Sequence, residues 1–158
     1  IAAGDNTWVL VSSSAVYYSE DGMSWAESSI EIERISSIYE AVALNINGKW
    51  VLNISAFGRP YYSLDDGKTW QKGSSSSPSK NETIYSAYYC SILYEELWMV
   101  ICMAKTKLLY SADGIHWYDG VLGINSAITE IHHAGGVWVG LSGNDGGIFY
   151  SEDFVPVE

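Results

Sequence analysis

Three observations predict an all-β fold of four-stranded antiparallel blades, a β-propeller of about four repeats or a segment of a larger one. A corner combining Tyr-Ser, an acid, Gly and Trp recurs along the 158 residues. A Trp-containing, strand-like unit precedes each corner, with 11 residues from Trp to Ser in the first copy and 13 in the other three. The Trp-to-Trp spacings are 42, 48 and 40 residues, a period that fits one blade per repeat.

The fullest corner is Tyr62-Ser63-Leu64-Asp65-Asp66-Gly67-Lys68-Thr69-Trp70. Shorter copies are Tyr18-Ser19-Glu20-Asp21-Gly22-Met23-Ser24-Trp25 and Tyr110-Ser111-Ala112-Asp113-Gly114-Ile115-His116-Trp117, and a cut-off copy is Tyr150-Ser151-Glu152-Asp153. Such a stretch reads as a tight hairpin. A strand ends in Ser, the Asp carboxylate accepts from nearby backbone N–H groups, Gly supplies positive φ, and the next strand opens near Trp.

The four repeats are read as roughly 1–30, 31–77, 78–122 and 123–158 of a single domain or propeller segment. An inner strand, Ile38 to Asn45, Ile84 to Leu93 or Ile128 to His133, is expected to turn into the Trp-containing second strand. Those second strands align as Gly4-Asp5-Asn6-Thr7-Trp8-Val9, Ile46-Asn47-Gly48-Lys49-Trp50-Val51, Glu95-Glu96-Leu97-Trp98-Met99 and Gly135-Gly136-Val137-Trp138-Val139. They are apolar on successive residues, so both faces must be covered, as between stacked blades. The third strands are Ala15 to Ser19, Arg59 to Ser63, Lys107 to Ser111 and Gly147 to Ser151, and outer strands start at Trp25, Trp70 and Trp117. Glu31 to Glu40 is read as loop plus strand and Gly73 to Lys80 as a flexible loop between blades. The first blade lacks most of its inner strand and the last ends soon after its third, which predicts a fragment of a larger or multi-chain ring.

Ser63 to Trp70 resembles a full Asp-box, S-x-D-x-G-x-T-W, the bacterial neuraminidase repeat of sialidase-type β-propellers. The corners at Ser19 and Ser111 resemble the variant one residue shorter that is frequent in phage tail and bacterial surface proteins. The fourth keeps Ser151 and Asp153 but has Phe154 in place of Gly. In that family the Asp-box is a folding device on the blade periphery, remote from any active site. The resemblance therefore implies architectural roles for Ser19, Asp21, Gly22, Trp25, Ser63, Asp65, Gly67, Trp70, Ser111, Asp113, Gly114, Trp117, Ser151 and Asp153.

Composition narrows the function classes. A hydrophobic content of 47 %, with 7 Trp and 12 Tyr, suits a globular β protein. The formal charge of −11 repels phosphate backbones and argues against nucleic acid as partner. The longest apolar run, Leu97 to Ala104, is far below the roughly 20 residues of a membrane-spanning helix, so no membrane insertion is expected. The first residue is Ile1 and no signal-peptide pattern follows, which suggests a chain processed or excised from a longer one.

The family's sialidases hold their substrate carboxylate with three arginines and use a Tyr/Glu pair plus an acid Asp. Only Arg34 and Arg59 are present, and arginine's planar fork is hard to replace. With no Gly-x-Ser-x-Gly elbow, Walker loop or Rossmann fingerprint, the chain is expected not to be an enzyme and to need no cofactor. A metal site is not expected either, since His132 and His133 are adjacent on a strand and two cysteines fall short of the usual four-ligand zinc set. Cys90 and Cys102 lie about equidistant from the Glu95-Glu96 turn, leaving a disulfide across the hairpin or two buried thiols as alternatives; strain in directly cross-strand disulfides favours the thiols. The acceptor motifs Asn53-Ile54-Ser55 and Asn81-Glu82-Thr83 are read as chance matches, with Asn53 on a mostly buried strand.

Binding or assembly remains. Tyr39, Glu40, Tyr85, Tyr88, Trp98, Tyr118 and Asp119 are candidates for contacting a surface glycan, because aromatic faces stack on sugars and polar neighbours orient them. Each also suits an ordinary strand position. The reading is a non-catalytic module of a virion or cell-surface protein, with partners among other subunits, the remaining blades of a larger chain, or glycans. The alternative is a fragment of a sialidase-like glycoside hydrolase whose arginines lie outside this chain.

Overall fold

The computed structural model describes residues 1–12, 14–31, 42–46, 48–53, 60–75, 89–94, 97–102, 107–121, 128–134, 137–142, 146–151 and 155–156. Four antiparallel sheets follow one another along the chain. The first has β1 (Ala2–Ala3), β2 (Trp8–Val11), β3 (Val16–Ser19) and β4 (Ala26–Glu27) in that order. The second has β6 (Val42–Ile46), β7 (Lys49–Asn53), β8 (Tyr61–Ser63) and β9 (Thr69–Lys72), and the third has β11 (Tyr89–Tyr94), β12 (Leu97–Cys102), β13 (Lys107–Ser111) and β14 (His116–Val121). The fourth has β15 (Ile128–Ala134), β16 (Val137–Ser142) and β17 (Ile148–Ser151).

The inner strands pack in chain order, β1 on β6, β6 on β11 and β11 on β15. That is the arrangement of blades around an axis. Among the described residues no comparable packing joins β15 to β1. Nor is any helix among them long and apolar enough to cross a membrane.

Sequence explains the meander within each sheet. In the second, Gly48 at φ 76° closes the β6–β7 hairpin with Ile46 opposite Lys49, a conformation that glycine adopts without a Cβ penalty. Trp50, Val51, Leu52 and Asn53 are then buried in succession, as expected of a strand covered on both faces. The main core cluster, Val9, Val16, Trp50, Leu52, Tyr61 and Trp70, lies between the first two sheets. Trp50 is fully buried, and its Nε1 donates to Thr7 Oγ1 at 3.3 Å. Gly4 makes room for that ring, since a Cβ there would stand 2.7 Å from Trp50 Cζ2.

Three features depart from the sequence reading. The stretch beginning at Gly73 is not all loop: β10 (Ser74–Ser75) pairs in parallel with β14 of the next sheet, just as β5 (Ser29–Ile30) pairs with β9. Backbone N–H groups at the end of each outer strand would otherwise be unpaired, and the neighbouring sheet edge supplies carbonyls. Cys90 and Cys102 are not directly opposite, because the register pairs Cys90 with Ile101 and Cys102 with Tyr89. The sequence reading also gave no strand after the fourth corner, whereas β18 (Val155–Pro156) pairs antiparallel with β14, Gly120 opposite Pro156. Asn53 is buried, whereas Ile35, Arg34, Arg59 and Asn81 lie outside the described residues.

Candidate functional site

The corners are the best-defined polar sites. In the first, Ser19 Oγ donates to Asp21 Oδ1 at 3.0 Å and accepts from Gly22 N at 2.8 Å, while Asp21 Oδ1 accepts from Met23 N at 2.7 Å and Ser24 N at 2.6 Å. The third repeats this with Ser111, Asp113, Gly114, Ile115 and His116. The second is one residue longer, and the extra Asp66 takes φ 59°, a left-handed conformation that Asp tolerates better than most residues. There Asp65 holds both the N–H and the hydroxyl of Thr69, at 2.8 and 2.6 Å. Gly22, Gly67 and Gly114 have φ of 73°, 80° and 73°. Trp70 and Trp117 are buried beneath their corners and Trp25 is half-buried. Ser151 ends β17, and Asp153 lies outside the described residues.

Each carboxylate is held as an anion by its own turn. Backbone N–H bonds from Ser24 and Met23, with the Ser24 and Ser19 hydroxyls, hold Asp21 well below the usual carboxylate range. At Asp113, partial burial pushes upward but is outweighed by the His116 ring, whose Nδ1 lies 2.5 Å from Oδ2, and by the N–H groups of His116 and Ile115. Partial burial also opposes the shift at Asp65, where Thr69 and Ser63 bonds prevail and the net direction is down. Folded values below the unfolded ones mean that this stabilisation is complete above the unfolded carboxylate value, about 4, and drains as pH falls toward the folded values. The melting temperature is therefore expected to hold from neutrality to about pH 5 and fall steeply below it. Asp113→Asn should lower the neutral-pH value and flatten the acid limb, as read by circular dichroism melts; an unchanged limb would remove Asp113 from the account.

The corners also tie neighbouring sheets together. Ser28 Oγ donates to Gly67 O at 2.6 Å, Ser28 N to Val16 O at 2.8 Å and Ser29 N to Lys68 O at 2.9 Å. One sheet further on, Gly73 N donates to Pro60 O and Ser74 N to Ile115 O, both at 2.9 Å. Gly73 is required by crowding, since a Cβ would meet Ile115 O at 2.9 Å and Pro60 O at 3.0 Å. Lys49 Nζ donates to Asp113 O across the second and third sheets. Lys68 Nζ, 2.9 Å from Glu20, is shifted upward by it, though both side chains are exposed and solvent screens the pair. Sequence reasoning missed these ties. The available signal was that Ser28 and Gly73 each stand three residues beyond a corner Trp.

Of the seven candidate ligand residues, Trp98, Tyr118 and Asp119 fall within the described part of the chain. Tyr39, Glu40, Tyr85 and Tyr88 fall outside the described residues. Trp98 stands on β12 opposite Ser111, and Asp119 on β14 opposite Leu109. Tyr118 is exposed, with its ring 5.6 Å from that of Tyr110. An open hollow of about 750 Å³ lies where β5 joins β9, with Glu31, Gln71 and Lys72 at its rim and Trp70 and Tyr61 in its floor; Tyr118 does not line it. Among the described residues no group of three His, Cys, Asp or Glu side chains is placed to hold a metal ion.

This geometry is that of a β-propeller-type protein, and comparison with solved structures gives the same class. The chain is similar to the structure described as YCF48 bound to D1 peptide, with a TM-score of 0.55 and 14 % identity over 89 % of this chain and 46 % of that one. It is also similar to the Niastella koreensis GH74 enzyme, with a TM-score of 0.53 and 17 % identity over 89 % of this chain and 21 % of that one. A Trypanosoma rangeli sialidase in complex with sialic acid matches at a TM-score of 0.43, too distant to bear on this chain. The chain thus spans under half the length of these structures, and at such identities the likeness is one of fold. No protein-family model matches the sequence, and no curated protein matches it.

Proposed function

We infer that the chain is a non-catalytic Asp-box propeller segment that works by binding other protein subunits, in a virion or on a cell surface. The observation that carries this is the uncovered apolar face of the fourth sheet, where Val139, Ile148 and Tyr150 are exposed together. Apolar patches of this kind on a β-sheet mark contact surfaces. The non-catalytic half of the reading rests on the sequence, in which Arg34 and Arg59 are the two arginines where the sialidases it resembles use three. That a propeller of similar fold is described as bound to a peptide accords with protein partners.

The test is a pair of assays on the purified chain. A fluorogenic sialoside and an aryl glucoside are expected to show no turnover above the uncatalysed rate, and enzyme-dependent hydrolysis would overturn the reading. A glycan array is expected to stay at background; a specific hit abolished by Tyr118→Ala would replace subunit binding with glycan recognition.

A further inference from the structure

The join between the first and second sheets has two complementary halves. Val9 and Tyr18, paired across β2 and β3, form one half, and Val9 is fully buried. Gly67 of the second sheet closes over them, so near that a Cβ on it would come 2.8 Å from Val9 Cγ2 and 3.8 Å from Tyr18 Cβ. Beside it Lys68 Nζ lies 5.9 Å from the centre of the Tyr18 ring. Trp50 completes that second half by packing against Gly4 and Thr7.

Both halves recur, uncovered, on the two outermost sheets. Val139 and Tyr150, paired across β16 and β17, stand where Val9 and Tyr18 stand, yet they are 41 % and 77 % exposed. Ile148, two residues before Tyr150, is 71 % exposed. In the first sheet Trp8 occupies the position of Trp50 and is 42 % exposed, while Met23 occupies that of Lys68 and is 83 % exposed. Gly22 is open where Gly67 is buried. One molecule thus presents both halves at once, and they do not cover each other.

We propose that the fourth sheet docks the first sheet of a second copy of this chain, head to tail, with Val139 and Tyr150 receiving Gly22 and Met23 as Val9 and Tyr18 receive Gly67 and Lys68. The inference rests on the subunit-binding reading above and names the subunit. A second copy is the occupant because the chain itself carries the matching half in the same repeat positions, continuing a join it already makes internally. Met23 in place of Lys68 makes the contact apolar, a thioether over a tyrosine ring. A contact between two different surfaces is heterologous, so it propagates into a ring or filament instead of stopping at a twofold dimer. The formal charge of −11 on each copy opposes association, and salt screens that repulsion.

Light scattering on the purified chain tests this. The mass is expected to exceed 17.4 kDa, to rise with concentration and to rise further with salt. Met23→Glu and Tyr150→Glu, both at exposed positions, should each leave the circular dichroism spectrum unchanged and return the mass to that of one chain. Mixed in equal amounts, the two variants retain one intact half each and should form a capped dimer of twice the chain mass. A wild-type chain monomeric up to millimolar concentration would overturn the proposal, as would a mixture that stays monomeric while the wild type assembles. Glycoside turnover with assembly intact would strike the function proposed above and leave this contact standing.

Discussion

Gly67→Ala is expected to destabilise the protein by about 2–5 kcal/mol. The left-handed backbone at φ 80° costs an L-residue about 1–2 kcal/mol. The new methyl, 2.8 Å from Val9 Cγ2, must also displace a fully buried neighbour, and overpacking of that kind costs about 1–3 kcal/mol. Gly48→Ala separates the two effects. Its φ of 76° is nearly the same, but a Cβ there meets nothing within 4 Å, so only the backbone cost of about 1–2 kcal/mol applies. Urea unfolding with an unchanged m-value is the measurement. Equal losses for the two variants would show that the packing of Gly67 on Val9 is not a stabilising feature of the join.

The second large effect belongs to Trp50. Trp50→Ala should cost about 3–5 kcal/mol, the usual loss for a fully buried ring, with Thr7 Oγ1 losing its donor as well. Trp8 is the same residue type at the equivalent repeat position but is 42 % exposed. Its truncation should cost less than half as much, measured in the monomeric Tyr150→Glu background so that a docked copy does not cover it. Similar losses at both sites would mean that burial between sheets is not what distinguishes the repeats.

The corners were legible in the sequence because their chemistry is local. Ser63, Asp65, Gly67 and Thr69 satisfy one another within seven residues, so the residues that close the turn are contiguous in the chain. The class of fold was legible for a related reason: a fixed spacing of Trp and corner repeats one small sheet, and copies of one sheet with two apolar faces have few ways to bury them. For a ligand site the sequence offers no such local chemistry. Tyr118 pairs with Tyr110 across a hairpin, an arrangement any strand tyrosine can adopt, and residue type did not distinguish a stacking platform from ordinary sheet packing.

Local order and repeat period therefore follow from the string of residues, since hydrogen bonds over two to four positions depend on little else. Contacts between sheets do not. That β5 and β10 leave their own sheets to pair with the next, that β18 returns to β14, and that Trp50 is sealed while Trp8 is open all depend on which surface stands opposite. Identical side chains at matching repeat positions are buried or exposed according to whether a neighbouring sheet is present, and that neighbour is set by packing across dozens of residues.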